Sequence, residues 1–126
     1  MFVRLGAAIC GAAIMLAYSS AAMAESGIAS IYAYAGEKTA NGERAQPGGL
    51  TAAHRTLAFG TQVRVTNLSN GRSITVRIND RGPYARGRVI DLTPAGARVL
   101  GFAGLARVKL EIAHMCSRCW REPRER

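Results

Sequence analysis

Two stretches of strict alternation constrain the fold more than anything else in this chain. Thr61-Gln62-Val63-Arg64-Val65-Thr66-Asn67-Leu68 and Ser73-Ile74-Thr75-Val76-Arg77-Ile78-Asn79 each place apolar and polar residues by turns, with Asn70-Gly71 between them. A period of two is the pattern of a strand with one buried face. Asn-Gly accepts the positive φ angles that primed hairpin turns demand. The pair predicts an antiparallel hairpin. Val63, Val65, Ile74, Val76 and Ile78 then face a core, while Arg64, Thr66, Thr75 and Arg77 face water.

The flanking segments extend this into an all-β pattern. Residues from Ser26 to Tyr34 read as a strand, and a polar stretch follows in which Asn41-Gly42 marks a tight turn. Residues 44–60 read as loop with one helical turn. Asp80-Arg81-Gly82-Pro83-Tyr84 breaks regularity, and Arg88-Val89-Ile90-Asp91-Leu92 is a short strand. Thr93 as N-cap, Pro94 in the first turn and Gly101 past the end predict a short helix. Ala106 to Ile112 alternates again. Several short strands and a small helix point to a compact barrel of about 90 residues. A length of 126 residues, 48% of them hydrophobic, allows one small domain and excludes both disorder and a large multidomain enzyme.

The two ends read differently. Arg4, an apolar run from Leu5 to Tyr18 and the small-x-small sequence Ala22-Met23-Ala24 have the form of a cleaved export signal over residues 1–24. The run is shorter than the ~20 residues that cross a bilayer as a helix, so no stable membrane anchor is expected. Removal takes one of 17 basic residues and none of the 8 acidic ones, leaving a net charge near +8. Such a balance points to an anionic partner, and export counts against nucleic acid. The domain is expected over residues 25–113, followed by a basic tail, 114–126, that carries Cys116 and Cys119. That pair is read as a local disulfide or inert tail, with metal and redox roles as the weaker alternatives.

Eight acidic residues leave few candidates for chemistry. Glu43, Asp80 and Asp91 each sit where a loop meets an apolar segment, and His54 lies beside Ala52 and Ala53. Taken singly, each has an ordinary explanation. Glu43 can be a solvated turn residue, Asp80 a cap for backbone N–H groups, Asp91 a partner of Arg88 or Arg81, and His54 a hydrogen-bonded structural histidine. No His, Cys and carboxylate set has metal-ligand spacing, so no metal and no cofactor is expected.

Together the blocks resemble a known family. Thr39-Ala40-Asn41-Gly42-Glu43, Leu50-Thr51-Ala52-Ala53-His54-Arg55-Thr56-Leu57, Phe59-Gly60-Thr61, Val65-Thr66-Asn67, Asn70-Gly71, Ile78-Asn79-Asp80-Arg81-Gly82-Pro83-Tyr84 and Arg88-Val89-Ile90-Asp91-Leu92 occur in the order found in the RlpA-like (rare lipoprotein A) domain. The resemblance spans roughly Gly27 to Ile112. It implies a six-stranded double-psi β-barrel with one or two short helices, related to expansins. It also implies an endolytic peptidoglycan lytic transglycosylase of the bacterial envelope, acting on glycan strands stripped of stem peptides; the chain itself is expected to be a monomer. The family's functional positions fall on Glu43, His54 and Asp80. Many members carry a lipoprotein cysteine and a C-terminal glycan-binding repeat domain, and neither is seen in this sequence.

Lytic cleavage needs a general acid at the leaving oxygen and stabilisation of an oxocarbenium ion. Asp80 is assigned the acid/base role, and Glu43 either exchanges roles with it or stabilises the cation. His54 is expected to orient one of them by hydrogen bond. Asp91, with Arg81 and Arg88, is assigned to positioning the loop or the sugar hydroxyls. Tyr32, Tyr34 and Tyr84 are either stacking platforms for sugar faces or core. The competing reading is a non-catalytic, expansin-like module that binds wall glycan without cutting it.

Overall fold

The computed structural model describes residues 24–32 and 35–115. The expected export signal, Tyr34 and the Cys116–Cys119 tail lie outside the described residues. Among the described residues there are six strands and one helix: β1 (Glu25–Ile31), β2 (Thr51–Ala53), β3 (Gln62–Asn67), β4 (Ser73–Asp80), β5 (Arg88–Leu92) and β6 (Ala106–His114) are the strands. The helix, α1 (Pro94–Leu100), joins β5 to β6. The strands close into a barrel in the order β1-β5-β2-β4-β3-β6. β1 pairs in parallel with β5 and β2 with β4, and the other four seams are antiparallel. This is the architecture that the resemblance implies.

The hairpin is β3 and β4. Val63 lies opposite Val76 and Val65 opposite Ile74. Val63, Val65, Val76 and Ile78 are fully buried, and Ile74 packs at the edge of the core. The turn differs from the sequence expectation. Among the described residues only glycines have positive φ, so Gly71 (φ 76°) is left-handed and Asn70 is not. The loop is therefore wider than a two-residue primed turn. It closes with the N–H of Asn67 donating to the Arg72 carbonyl at 2.8 Å and that of Gly71 to the Asn67 carbonyl at 2.8 Å.

The helix forms where its signals stand. The Thr93 hydroxyl oxygen accepts from the N–H of Gly96, and left-handed Gly101 donates its N–H to Ala97 and Arg98 carbonyls. Asn67, 2% exposed, ties this helix end to the hairpin. Its Nδ2 donates to the Leu100 carbonyl at 2.9 Å while its Oδ1 accepts from the N–H of Ser69 at 3.0 Å. Asn70 Nδ2 donates to the same Leu100 carbonyl at 2.8 Å.

Two elements differ from expectation. β1 ends at Ile31, short of Tyr34. Thr51–Ala53, read as loop with a helical turn, is a central strand, Ala52 lying beside both Leu92 and Ile78. Three residues are too few to display a period, and burial on both faces removes the polar alternation that would mark a strand.

Thr61 is the one fully buried residue whose side-chain oxygen lacks a partner among the described residues. An orphaned buried hydroxyl costs free energy that a methyl group does not. Thr61→Val is expected to stabilise the barrel by about 1 kcal/mol, read as a raised urea midpoint with unchanged slope.

Candidate active site

The polar end of β4 and one turn build the site. In a strand, residues two apart share a face, so Arg77 and Asn79 project together, while Ile78 between them enters the core. Glu43 meets that pair. Arg77 grips it through both nitrogens of its fork, Nη1 to Oε1 at 2.6 Å and Nη2 to Oε2 at 2.8 Å. Asn41 Nδ2 adds a bond to Oε1 at 2.9 Å, and Asn79 Nδ2 approaches Oε2 at 3.4 Å. Asn41 is itself fixed, its Oδ1 accepting from the Thr39 hydroxyl at 2.7 Å and from the N–H of Glu43 at 3.0 Å.

These donors all favour the ionised carboxyl. The Arg77 hydrogen bonds, foremost, with those of Asn41 and Asn79 and against the effect of burial, hold Glu43 down at about 2 from an ordinary 4.5. Glu43 is therefore a carboxylate in the neutral range. A depressed carboxyl stabilises the fold fully above its unfolded value and loses that contribution as pH falls. The pH-dependent part of the stability difference between the natural protein and Glu43→Gln is thus expected to be constant above about 4.5 and to close toward pH 2. Urea unfolding across that range checks it.

Asp80 is reached by the same turn. The N–H of Ala40 and that of Arg81 each donate to its Oδ1 at 2.8 Å. The N–H of Asn41 donates to the Asn79 carbonyl at 3.2 Å, seating the turn on the end of β4. Among the described residues no group bonds the second oxygen, Oδ2. The backbone-capping role considered for Asp80 is thus real, and it occupies one of two oxygens. An open cleft of about 570 Å³ runs beside Glu43, walled by Arg44, Gln46, Leu50, Thr51, Arg77 and Asn79 among others. Asp80 stands outside that wall, under the N-terminal half of the turn. A narrower depression toward Tyr32, Pro47 and Pro94 shares Gln46, Thr51 and Asn79 with the cleft.

The His54 ring makes its hydrogen bonds to groups other than the Glu43 and Asp80 carboxyls. Its Nδ1 accepts from the N–H groups of Thr56 and Leu57, both at 3.1 Å. That leaves Nε2 as the ring donor, and it meets Glu25 Oε2 at 2.9 Å. The expected hydrogen bond from the ring to a site carboxylate is not among these contacts. Instead the peptide N–H of His54 donates to the Asp80 carbonyl at 3.2 Å, so the residue fixes the backbone beside Asp80. Arg81 completes this support. Its Nη1 donates to the His54 and Leu57 carbonyls at 3.2 and 2.7 Å, and its guanidinium lies 4.0 Å over the Phe59 ring. Asp91 accepts from the Ser30 hydroxyl, and pairs with neither Arg88 nor Arg81. Tyr84 is 77% exposed.

Sequence reasoning missed Arg77, Asn79 and Asn41. Arg77 was assigned to water because alternation only tells which face a residue takes. The available signal was the shared parity of Arg77 and Asn79, two polar groups on one face directly before Asp80. Among the described residues no cluster of metal-ligating side chains occurs, and no helix is long and apolar enough to cross a membrane.

Residues 24–111 match the family model described as lytic transglycolase. A probable endolytic peptidoglycan transglycosylase RlpA of Nostoc sp. is 57% identical over 100 residues, 75% of this chain and 27% of that protein. The endolytic peptidoglycan transglycosylase RlpA of Pseudomonas aeruginosa is 58% identical over 78 residues, 60% of this chain and 23% of that protein. The chain thus spans about a quarter of the length of these curated relatives. In three dimensions it resembles the apo expansin of Clavibacter michiganensis (TM-score 0.58, 23% identity, 73% of this chain and 51% of that one). It also resembles the Streptomyces papain inhibitor (TM-score 0.57, 23% identity, 72% and 94%). With a family match over most of its length, laid on a closed barrel of the double-psi type, this chain belongs to the lytic transglycolase family.

Proposed function

We propose that this domain is an exported, monomeric lytic transglycosylase that cuts muramoyl–glucosaminyl links in peptide-stripped peptidoglycan strands. The observation that carries the reading is the turn 39–43, whose two ends hold the two carboxyl groups in different ways. Glu43 is clamped as an anion by Arg77, Asn41 and Asn79. Asp80 has one oxygen bound to backbone N–H groups and one left open. Two carboxyl groups in unlike environments are what an acid and a charge stabiliser require.

In this mechanism the glycan lies along the cleft and across the turn. Asp80 carries its proton on Oδ2 and gives it to the glycosidic oxygen. The C1–O bond breaks with its electron pair going to that oxygen, and Glu43 faces the positive charge that develops on the muramoyl ring. The C6 hydroxyl of the same ring then attacks C1 and returns its proton to Asp80, which closes a 1,6-anhydro ring and consumes no water. His54 and Arg81 hold the backbone around Asp80. The excess of basic residues, 17 against 8, draws the protein to the lactyl carboxylates of a stripped strand.

A second reading, a glycan-binding module without catalysis, draws support from the expansin likeness and from the structural contacts of His54. Incubation with peptide-free glycan and mass spectrometry of the products separates the two. Chains ending in 1,6-anhydromuramic acid are the expected result. Reducing ends would mean hydrolysis, and intact strands would leave only the binder.

A further inference from the structure

We infer that Arg77 is a positioning residue for this reaction: its fork fixes the Glu43 carboxylate in place and in charge, so that Asp80 alone exchanges a proton during turnover. The inference rests on the lytic reading above. Its basis is geometric. Both guanidinium nitrogens meet both carboxylate oxygens at 2.6 and 2.8 Å, a planar bidentate pair that a lysine cannot reproduce. The pair lies on the cleft wall with both side chains about 40% exposed, so its role is not to fill the interior. Arg77 is also anchored at its backbone, opposite Gln62 on one side and Thr51 on the other, so the fork starts from a fixed point in the barrel.

The charged groups around Glu43 are few. Arg77 comes from β4, Arg44 stands in the same cleft wall with Nη1 donating to the Gly36 carbonyl at 3.0 Å, and Asp80 lies across the turn. Of these charged groups, Arg77 is the one that bonds the carboxylate. Without it Asn41 and Asn79 remain as neutral donors, and Glu43 should return toward its ordinary value of 4.5. A carboxyl titrating there loses its anion as the solution is acidified through that value, and with it the negative charge that faces the developing cation.

The test is Arg77→Met, with Arg77→Lys as the conservative partner. Carbon-detected NMR titration of the Glu43 carboxyl needs no activity. The natural protein should show a midpoint near 2 and Arg77→Met one near 4.5, with Arg77→Lys between them. In turnover of peptide-free glycan, the natural protein should keep its rate on the acid side. Arg77→Met should lose rate as pH falls through about 4.5, giving a peaked profile, and Arg77→Lys should recover part of it. Thermal midpoints of all three verify folding. A Glu43 midpoint unmoved in Arg77→Met overturns the inference, as does a shifted midpoint with an unchanged pH–rate profile. A midpoint that moves in Arg77→Met while the natural protein yields no anhydro ends overturns the lytic reading, and with it the catalytic half of the inference.

Discussion

Asp80→Asn should lower formation of 1,6-anhydro ends by about 10²–10⁴-fold, the usual contribution of a general acid, while leaving the thermal midpoint nearly where it was. The contacts make this substitution unusually clean. Asparagine keeps an Oδ1 to accept the N–H groups of Ala40 and Arg81, so the turn stays seated on β4. What changes is the other atom, from an oxygen that can carry a proton to an amide that cannot give one up. Product measured by mass spectrometry and unfolding followed by circular dichroism report the two consequences separately. Retained product would remove Asp80 from the acid role. A large fall in the midpoint would make the residue a structural cap instead.

The largest effect on stability is expected at Asn67. Its buried amide bonds the Leu100 carbonyl and the N–H of Ser69, joining the hairpin loop to the helix end. Asn67→Ala takes the Ser69 N–H's partner away, leaves the Leu100 carbonyl with Asn70 as its one side-chain donor, and opens a small void, at a cost of about 2–3 kcal/mol. Asn70→Ala is the control. Asn70 is exposed and bonds the same carbonyl at 2.8 Å, so its loss should cost under about 1 kcal/mol. Urea midpoints of the two variants decide the matter, and equal losses would show that burial of Asn67 contributes nothing.

The parts of this fold that could be read from sequence were those whose information is local. β5 and α1 fall on the residues expected, because Thr93, Pro94 and Gly101 are start and stop signals that act within one turn of helix. The hairpin strands were legible from their alternation, although Gly71 alone takes the left-handed conformation assigned to Asn70-Gly71. β2 was not legible, since three buried residues have no period and gain their strand geometry from β4 and β5 on either side.

The candidate site divides in the same way. Asp80 and Glu43 stood out because acidic residues are scarce and each borders an apolar segment. Their partners did not. Arg77 lies 34 residues from Glu43, and Glu25 lies 29 residues from His54. Nothing in alternation or composition says which surface residue another loop will cover. That pairing is decided when the barrel closes and brings the 39–43 turn down on the end of β4.

Closure itself has a consequence for chains that stop early. β6 forms the seams with both β1 and β3, and among the described residues no other strand pairs with those two on that side. A ribosome or protease that ends the polypeptide before Ala106 therefore leaves not a smaller barrel but two bare ladders of N–H and C=O groups. Such fragments would template strand addition on one another. Glu43, Arg77 and Asp80 would all still be present in them, so it is the open edges and not a missing site residue that would set such fragments apart.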